Sequence, residues 1–233
     1  MQAIVLAGGL GTRLRGVVPD LPKPMAPVAG RPFLAWLLDQ LADAGMERVV
    51  LAVGYRHEAI SRHFGDRHRG VALRYSVEVV PLGTGGAMRL AAEQVDDDDV
   101  FVLNGDTYVE LDHRAMHTAQ VQAGAAMTMA VHRVDDAGRY GALDLDGSRV
   151  RGFVEKRRGG PGWINAGTYL LRRDLLRRIP PGCTHSFEQD LLVPQLQSIR
   201  PLAFAADGLF VDIGVPHDYA RAQQLFAQRA AQP

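Results

Sequence analysis

The chain has 233 residues, of which 47% are hydrophobic and 22% are charged. This length suffices for one domain with a full hydrophobic core, and the composition is that of a soluble globular protein. The 26 basic side chains balance 26 acidic ones without a basic block, so we expect neither nucleic acid nor a membrane surface as partner.

The lack of a recognisable targeting signal and the low cysteine content both favour a cytoplasmic protein. The first apolar segment begins at residue 2 without the features of a signal peptide, and no apolar run approaches the ~18 residues of a membrane span. A single cysteine, Cys183, excludes an internal disulfide framework and fits a reducing compartment.

Short apolar segments alternate with segments of helical periodicity in the first half of the chain. We predict strands over residues 3–7, 48–53, 71–77 and 100–103. We predict helices from Pro32 to Gly45, over 56–64, and from Pro81 to about Gln94. This alternation indicates an α/β protein with a doubly wound, mixed but mostly parallel sheet of Rossmann-like type.

The pattern changes after a helix that we expect between an N-cap at Asp112 and a C-cap at Gly124. Strands joined by hairpins are predicted over 126–132, 140–145 and 150–154, followed by a strand over 163–171. A capping box at Ser186 predicts a helix through Leu196. Strands over 202–205 and 209–213 precede a last helix from Pro216, and the whole chain is predicted to form one domain.

Glycines and cationic side chains follow the first strand. Gly8, Gly9 and Gly11 precede Arg13, and Lys23 lies ten residues further on. Glycine allows backbone N–H groups to turn toward an anion, and the arginine fork matches phosphate oxygens. The segment therefore indicates a binding loop for a nucleoside triphosphate.

Other phosphate motifs fit this segment less well. Leu14 stands where a dinucleotide-binding fingerprint has its third glycine, which weakens the case for a dehydrogenase, and Arg13 stands where a P-loop has its second glycine. Prolines exclude a helix directly after the loop; they are Pro19, Pro22, Pro24 and Pro27. An ordinary glycine-rich turn is the alternative.

Polar residues also follow the strand over 100–103, where ligands of open α/β sheets bind. Asp106 stands next to Gly105 at the end of this strand, and Asp212 ends the strand over 209–213. Mg²⁺ takes only one or two protein carboxylates when phosphates complete its shell. Asp106 is the sharpest metal candidate, with a loop-capping role as the alternative.

The first glycine loop and the segment around Lys23 together resemble the signature of a known family. Gly8-Gly9-Leu10-Gly11-Thr12-Arg13-Leu14 with Pro22-Lys23-Pro24-Met25 resembles the signature of sugar-1-phosphate nucleotidyltransferases. The resemblance extends from residue 2 to about 222 and implies transfer of a nucleoside monophosphate to a sugar 1-phosphate with release of pyrophosphate. It implies a nucleotide-binding half over about 1–110 and a sugar-binding half over about 111–233, including a small β-hairpin region. We expect no C-terminal β-helix domain of the kind that many relatives carry.

The resemblance assigns roles residue by residue. It implies catalytic roles for Arg13, Lys23 and Asp106, and Mg²⁺ as a cofactor on Asp106 and Asp212. The implied nucleotide-binding residues are Leu6, Ala7, Gly8, Gly9, Gly11, Thr12, Arg13, Lys23, Glu78, Leu82, Gly83, Thr84, Gly85, Asn104 and Gly105. The implied sugar-phosphate-binding residues are Tyr140, Gly141, Glu155, Lys156, Asn165 and Gly167.

The second glycine loop, within residues 78–86, indicates which nucleotide base the protein binds. Residues 78–86 lack the glutamine-rich segment of pyrimidine-using members and resemble the purine-using guanylyltransferases, so we expect GTP as substrate. Guanine presents N–H donors, which suit the Glu78 carboxylate or nearby carbonyls. Within the family the chain resembles the heptose 1-phosphate guanylyltransferases most. The alternatives are mannose 1-phosphate guanylyltransferases, an N-acetylmuramic acid 1-phosphate uridylyltransferase, and a non-catalytic sugar-nucleotide-binding regulator. A monomer or homodimer is expected.

Overall fold

A computed structural model of the chain describes residues 1–9, 21–54, 56–154 and 160–230. The strands are β1 (Gln2–Leu6), β2 (Pro27–Val28), β3 (Arg31–Pro32), β4 (Arg48–Val53), β5 (Arg67–His68), β6 (Val71–Val77), β7 (Asp99–Asn104), β8 (Thr107–Val109), β9 (Met127–Val134), β10 (Ala142–Asp146), β11 (Arg149–Val154), β12 (Gly162–Arg172), β13 (Leu202–Ala205) and β14 (Phe210–Asp212). The α-helices are α1 (Phe33–Asp43), α2 (His57–Phe64), α3 (Gly83–Ala91), α4 (His113–Ala123), α5 (Arg173–Arg177), α6 (Leu196–Ile199) and α7 (Pro216–Ala230). Short 3-10 turns cover Lys23–Met25 and Ala92–Gln94, and a π-helix covers Phe187–Leu192.

One ten-stranded sheet organises the molecule, in the order β10-β11-β13-β9-β12-β7-β1-β4-β6-β5. Strands β6, β4, β1 and β7 are mutually parallel. Strand β12 is antiparallel to both of its neighbours, β7 and β9, so β9 resumes the direction of β7. This arrangement confirms the predicted α/β fold with a mixed, doubly wound sheet.

Both faces of the central strands are buried. Ala3 and Val5 pack into one hydrophobic cluster, whereas Ile4 between them packs into a second. Successive side chains of a strand point to opposite faces, so a continuous apolar strand needs a core on each side. Each cluster includes residues from early and late parts of the chain, and the predicted division near residue 110 stays a prediction.

Local capping signals determine where several helices begin and end. The Asp112 side chain accepts a hydrogen bond from the Ala115 N–H at 2.9 Å, and α4 ends at Gly124, which has a φ of +56°. The Ser186 side chain likewise accepts from the Gln189 N–H at 3.2 Å. The predicted caps at Asp112, Gly124 and Ser186 are therefore confirmed.

Two sequence-based expectations were wrong. Strand β9 does not pair with β10 within the described residues; it lies between β12 and β13, and the hairpin is formed by β10 and β11 around Gly147. The helix from Ser186 does not continue through Leu196: it is a π-helix that ends at Leu192, followed by a turn containing Pro194 and the short α6. Proline lacks the N–H that a continuous helix requires.

A two-stranded sheet, β8 with β14, was not foreseen, although a strand was expected near β14. Thr107 is opposite Asp212 in this antiparallel pair. The pairing joins the turn after β7 to the segment before α7, so it brings together residues that are distant in sequence. None of the helices that the structure describes is long and apolar enough to cross a membrane.

Candidate functional site

The parallel strands β1, β4, β6 and β7 present their carboxyl ends at one edge of the sheet. The connections stay close there: the Gly105 N–H donates to the Leu6 carbonyl at 2.9 Å, and the Ala7 N–H donates to the Ala52 carbonyl at 2.8 Å. A Cβ at residue 105 would lie 2.6 Å from the Leu6 carbonyl oxygen. Glycine is therefore required where the turn after β7 passes the end of β1.

A cavity of about 590 Å³, here cavity A, opens at this edge. Predicted nucleotide-binding residues that line it are Leu6, Gly8, Gly9, Lys23, Glu78, Gly83, Thr84 and Asn104, together with the predicted metal ligand Asp106. Ala7, Leu82, Gly85 and Gly105 are not among its lining residues. Gly11, Thr12 and Arg13 lie outside the described residues.

Glu78 occupies one wall of cavity A directly after β6. Its Oε2 accepts a hydrogen bond from the Leu82 N–H at 2.8 Å, which shapes the loop leading into α3. Burial raises the pKa of the Glu78 carboxyl, and the Leu82 N–H partly offsets this effect. A Cβ at residue 8 would approach Glu78 Oε1 to 2.9 Å, so Gly8 and Glu78 pack closely.

The glycines at the start of α3 contact another part of the chain as well as cavity A. Residues 183–187, here the crossing segment, run across them, and the His185 carbonyl accepts from the Gly85 and Gly86 N–H groups at 2.8 and 3.2 Å. A Cβ at Gly83 would lie 2.7 Å from the His185 carbonyl oxygen. The amides of Gly85 and Gly86 are thus used within the protein. The glycine pattern of this loop serves close packing in addition to any ligand.

Lys23, Asp106 and Asp212 meet beside cavity A. The Lys23 Nζ lies 2.5 Å from Asp106 Oδ2. The Ile213 N–H donates to the Asp106 carbonyl at 3.0 Å, which ties the end of β14 to the turn after β7. A Cβ at Gly214 would lie 2.7 Å from Asp212 Oδ1 and 3.3 Å from Lys23 Nζ, so Lys23, which contacts Asp106, also lies close to Asp212.

The electrostatics of Asp212 reflect this convergence. Burial raises the pKa of the Asp212 carboxyl, and the Asp106 carboxylate raises it further. Lys23 and the Gly214 N–H, which donates to Asp212 Oδ1 at 2.6 Å, act in the opposite direction. Two carboxylates that repel each other favour a bound cation between them.

The donor set fits Mg²⁺ with phosphate ligands rather than a metal held by protein alone. In residues 1–9, 21–54, 56–154 and 160–230, no group of three or more histidine, cysteine, aspartate or glutamate side chains could hold a metal ion. Mg²⁺ usually takes one or two carboxylates and completes its octahedron with substrate phosphates and water. Asp106 and Asp212 are such a pair.

A second cavity of about 430 Å³, here cavity B, lies on the other side of Asn104. Tyr140, Gly141, Asn165 and Gly167, all predicted sugar-phosphate-binding residues, line it together with Asp212. Glu155 and Lys156 follow Val154, another lining residue, but lie outside the described residues. The structure therefore brings together every predicted sugar-side residue that it describes.

Asn104 lines both cavities and so forms their shared wall. Gly167 has a φ of +70°, and a Cβ there would lie 2.8 Å from Asn104 Nδ2. Asn165 supports this turn: its Oδ1 accepts from the Gly167 N–H at 3.0 Å, and its Nδ2 donates to the Tyr169 hydroxyl at 2.6 Å. Asn165 therefore shapes the wall of cavity B.

Sequence reasoning missed Glu188, which also lines cavity B. It is the first acidic residue after the Ser186 cap, and in sequence it is indistinguishable from an ordinary acidic residue in the first turn of a helix. Only its position at the cavity distinguishes it.

Comparison with known proteins adds to this geometry. The family model described as nucleotidyl transferase matches residues 2–229. The chain is 40% identical over 224 residues to D-glycero-alpha-D-manno-heptose 1-phosphate guanylyltransferase of Aneurinibacillus thermoaerophilus, covering 96% of this chain and 97% of that protein. It is 35% identical over 226 residues to mannose-1-phosphate guanylyltransferase of Mycobacterium tuberculosis, covering 95% of this chain and 63% of that protein.

A solved structure is similar over nearly the same span. The crystal structure of HddC from Yersinia pseudotuberculosis, complexed with GMP-PN, superimposes with a TM-score of 0.87 at 37% identity. The match covers 97% of this chain and 99% of that one. The similarity therefore includes both halves of the sheet and the elements that line both cavities.

Proposed function

The chain belongs to the nucleotidyl transferase family, and on that premise we propose that it transfers the guanylyl group of GTP to D-glycero-α-D-manno-heptose 1-phosphate and releases pyrophosphate. The observation behind this proposal is the convergence of Lys23, Asp106 and Asp212 beside the wall that separates two cavities. Two substrates that bind on either side of this wall would meet at these charges.

The reaction needs positioning and charge stabilisation more than covalent catalysis. A phosphate oxygen of the sugar 1-phosphate forms a bond to the α-phosphorus of GTP, and the bond between the α- and β-phosphates breaks. Lys23 is proposed to stabilise the negative charge that grows on the α-phosphate. Arg13 and the amides of the first glycine loop are proposed to hold the leaving pyrophosphate, and Lys156 the incoming phosphate.

Asp106 and Asp212 would hold Mg²⁺. When bound, the ion would neutralise phosphate charge and orient the attacking oxygen. The two carboxylates are held by the β8–β14 pairing and by the hydrogen bond between the Ile213 N–H and the Asp106 carbonyl, so contacts within the protein fix their arrangement. Preorganisation of this kind reduces the cost of reaching the transition state.

Glu78 supports guanine as the base. Its carboxylate lines cavity A and has acceptor capacity beyond the hydrogen bond from Leu82. Guanine N1–H and N2–H₂ are donors, whereas adenine and cytosine present an acceptor at the ring nitrogen on the same edge. The guanylyltransferase names of the relatives and the nucleotide in the Yersinia structure agree with this choice.

The sugar is assigned from the relatives. The heptose 1-phosphate enzyme is matched over 97% of its own length, while the mannose 1-phosphate enzyme is matched over 63%. Mannose 1-phosphate is the second candidate because its guanylyltransferase retains 35% identity over nearly all of this chain. We propose that the enzyme acts in the cytoplasm as a monomer or homodimer.

The test is pyrophosphate release from a matrix of substrates with the purified full chain and Mg²⁺. Four nucleoside triphosphates are each combined with mannose, glucose and heptose 1-phosphates. We expect the highest kcat/KM for GTP with the heptose 1-phosphate. A preference for another triphosphate would contradict the guanine assignment, and absence of release from every pair would contradict catalysis itself.

A further inference from the structure

Cavity B contains a carboxylate that the proposed reaction has not used. Glu188 and Asp212 are the acidic side chains among the described residues that line this cavity. Asp212 lies beside Asp106 and Lys23 and accepts a hydrogen bond from Gly214. Glu188 stands apart from that cluster, in the first turn of the π-helix Phe187–Leu192.

The Glu188 side chain has no protein partner in the part of the chain that the structure describes. No hydrogen bond or ion pair joins its carboxylate to another described residue, although it is only partly exposed. Its neighbour Asp190 behaves differently, since Asp190 Oδ2 accepts from the Ser186 N–H at 2.7 Å. A half-buried carboxylate that faces a cavity without partners has its acceptor capacity left for a ligand.

The backbone under Glu188 is firmly placed. Phe187 is buried, and its ring packs edge-on against Tyr169 with centroids 5.3 Å apart. The Phe187 N–H donates to Thr84 Oγ1 at 3.0 Å, which links this turn to the wall of cavity A. Residues locked by packing and hydrogen bonds can hold a recognition group precisely.

The Glu188 carboxylate interacts electrostatically with the buried Tyr169. Burial raises the pKa of Tyr169 to about 12, and the Glu188 carboxylate contributes to this rise. Tyr169 accepts a hydrogen bond from Asn165, so Tyr169 lies behind the two residues, Glu188 and Asn165, that line cavity B. The Asn165 amide is partly occupied by Tyr169 and Gly167, which leaves Glu188 as the stronger acceptor.

We infer that Glu188 is a sugar-specificity residue whose carboxylate accepts hydrogen bonds from two adjacent hydroxyl groups of the sugar 1-phosphate. This inference rests on the proposed function and adds the group that selects the sugar. A carboxylate offers two oxygens with about the spacing of neighbouring hydroxyls, and hydrogen bonds to a charged acceptor are the stronger class. The phosphate of the same substrate would then lie toward Asp212 and Lys23.

The experiment compares Glu188→Ala and Glu188→Gln with the wild type, using the full chain, Mg²⁺, GTP and the heptose 1-phosphate. Loss of two charge-assisted hydrogen bonds is expected to raise the KM for the sugar phosphate by roughly 10- to 100-fold in Glu188→Ala. Glu188→Gln keeps one acceptor oxygen, so its KM for the sugar phosphate is expected to lie between those of the wild type and Glu188→Ala. The KM for GTP should stay within about twofold of the wild type.

Single-deoxy analogues of the sugar phosphate separate recognition from a structural effect. In the wild type, removal of a hydroxyl that Glu188 binds should cost roughly 10-fold in kcat/KM, whereas in Glu188→Ala the same analogue should react as well as the parent sugar. The matched control is Glu47→Gln, just before β4 and at the opposite end of the sheet, which should retain every deoxy penalty.

The outcomes are distinguishable. If the wild type is active and Glu188→Ala keeps all of the deoxy penalties, the role of Glu188 is overturned while the proposed function stands. If the KM values for GTP and sugar rise together in Glu188→Ala, the residue is structural and the inference is also overturned. Absence of activity in the wild type with every sugar phosphate would overturn both.

Discussion

Asp106 is held at three points. Its Oδ2 lies 2.5 Å from Lys23 Nζ, its Oδ1 accepts from Thr107 Oγ1 at 3.2 Å, and its carbonyl accepts from the Ile213 N–H at 3.0 Å. Asp106 also lines cavity A, so a substitution that keeps the size of the side chain but removes its charge tests its role there.

Asp106→Asn should lower kcat/KM by more than about 100-fold, because the amide keeps the size of the side chain but loses the charge that would hold Mg²⁺. Initial rates of pyrophosphate release across Mg²⁺ concentrations provide the measurement. The matched control is Asp174→Asn in the exposed first turn of α5, which should leave the rate unchanged. Near-wild-type turnover by folded Asp106→Asn would remove the metal role.

His113 is a buried titratable group away from both cavities. It begins α4, only 1% of it is exposed, and its ring packs against Phe101 with centroids 5.1 Å apart. Burial lowers the pKa of His113 from 6.5 to about 4, because the imidazolium would lose its hydration. The folded protein therefore keeps His113 neutral in a pH range where the unfolded chain takes up a proton.

The free energy of unfolding should fall as pH decreases below about 6.5, with His113 contributing a loss of about 2 kcal/mol by pH 5. Above pH 6.5 the residue is neutral in both states and contributes no slope. Urea unfolding at pH 7.5, 6 and 5 measures this, and His113→Leu should show a shallower decrease than the wild type. The exposed His63→Gln should keep the wild-type slope; an unchanged slope in His113→Leu would refute the assignment.

At the level of elements, the crossing segment and the start of α3 form one unit. His185 N–H donates to the Leu82 carbonyl at 2.8 Å, and the His185 carbonyl accepts in return from Gly85 and Gly86. A Cβ at residue 86 would lie 2.7 Å from the Cys183 carbonyl oxygen, which is backbone and has little freedom to move. Because Gly83 and Thr84 of the same turn line cavity A, packing here positions the nucleotide side.

Gly86→Ala should therefore reduce the free energy of unfolding by about 1–3 kcal/mol through overpacking, and it should raise the KM for GTP. Chemical denaturation and initial-rate kinetics measure the two effects. Gly152→Ala in β11 is the matched control, since its Cβ would lie at an ordinary 3.6 Å from the Asp144 Cβ. If both variants behave alike, the crossing segment does not constrain the loop.

Across the whole molecule, α7 connects late and early parts of the chain. Phe226 is fully buried and packs against Phe33, Trp36 and Tyr108, with centroids 6.0, 4.8 and 5.1 Å away. The Tyr219 hydroxyl also donates to the Pro27 carbonyl at 2.5 Å. Strand β14 directly precedes this helix, so α7 also anchors the segment that contains Asp212.

Phe226→Ala should lower the free energy of unfolding by about 3–5 kcal/mol because it leaves a cavity between α1, β8 and α7. Denaturation followed by tryptophan fluorescence and by far-UV circular dichroism should give one coincident transition. Gln228→Ala, at an exposed position of the same helix, should change stability little. Separate transitions by the two probes would indicate that the chain unfolds as two units.

Much of the local structure was predictable. The strands 48–53 and 71–77 match β4 and β6 at both ends, and Asp112, Gly124 and Pro216 stand at helix boundaries as expected. Prolines, caps and apolar periodicity act within a few residues, so their effect is visible without a fold. The pairing of β9 was mistaken because strand partners are chosen by burial across the sheet, which local patterns do not encode.

The candidate site also has parts that the sequence predicted and parts that it did not. Its glycine loops, Lys23 and the two aspartates were identifiable from residue type and position at strand ends. The β8–β14 pairing, which brings Asp212 to Asp106, was not. The functional roles of these residues stay predictions, as do those of Arg13 and Lys156, which lie outside the described residues.

By itself, the sequence determined the α/β class and most element boundaries, and it predicted the chemistry of the site, because backbone conformation and side-chain charge are properties of short segments. Only the tertiary structure decided that Asn104 separates two cavities, that the glycines of α3 accommodate a crossing segment, and that Glu188 faces the second cavity. These features depend on which distant segments come into contact, and that is set by the burial of the whole core.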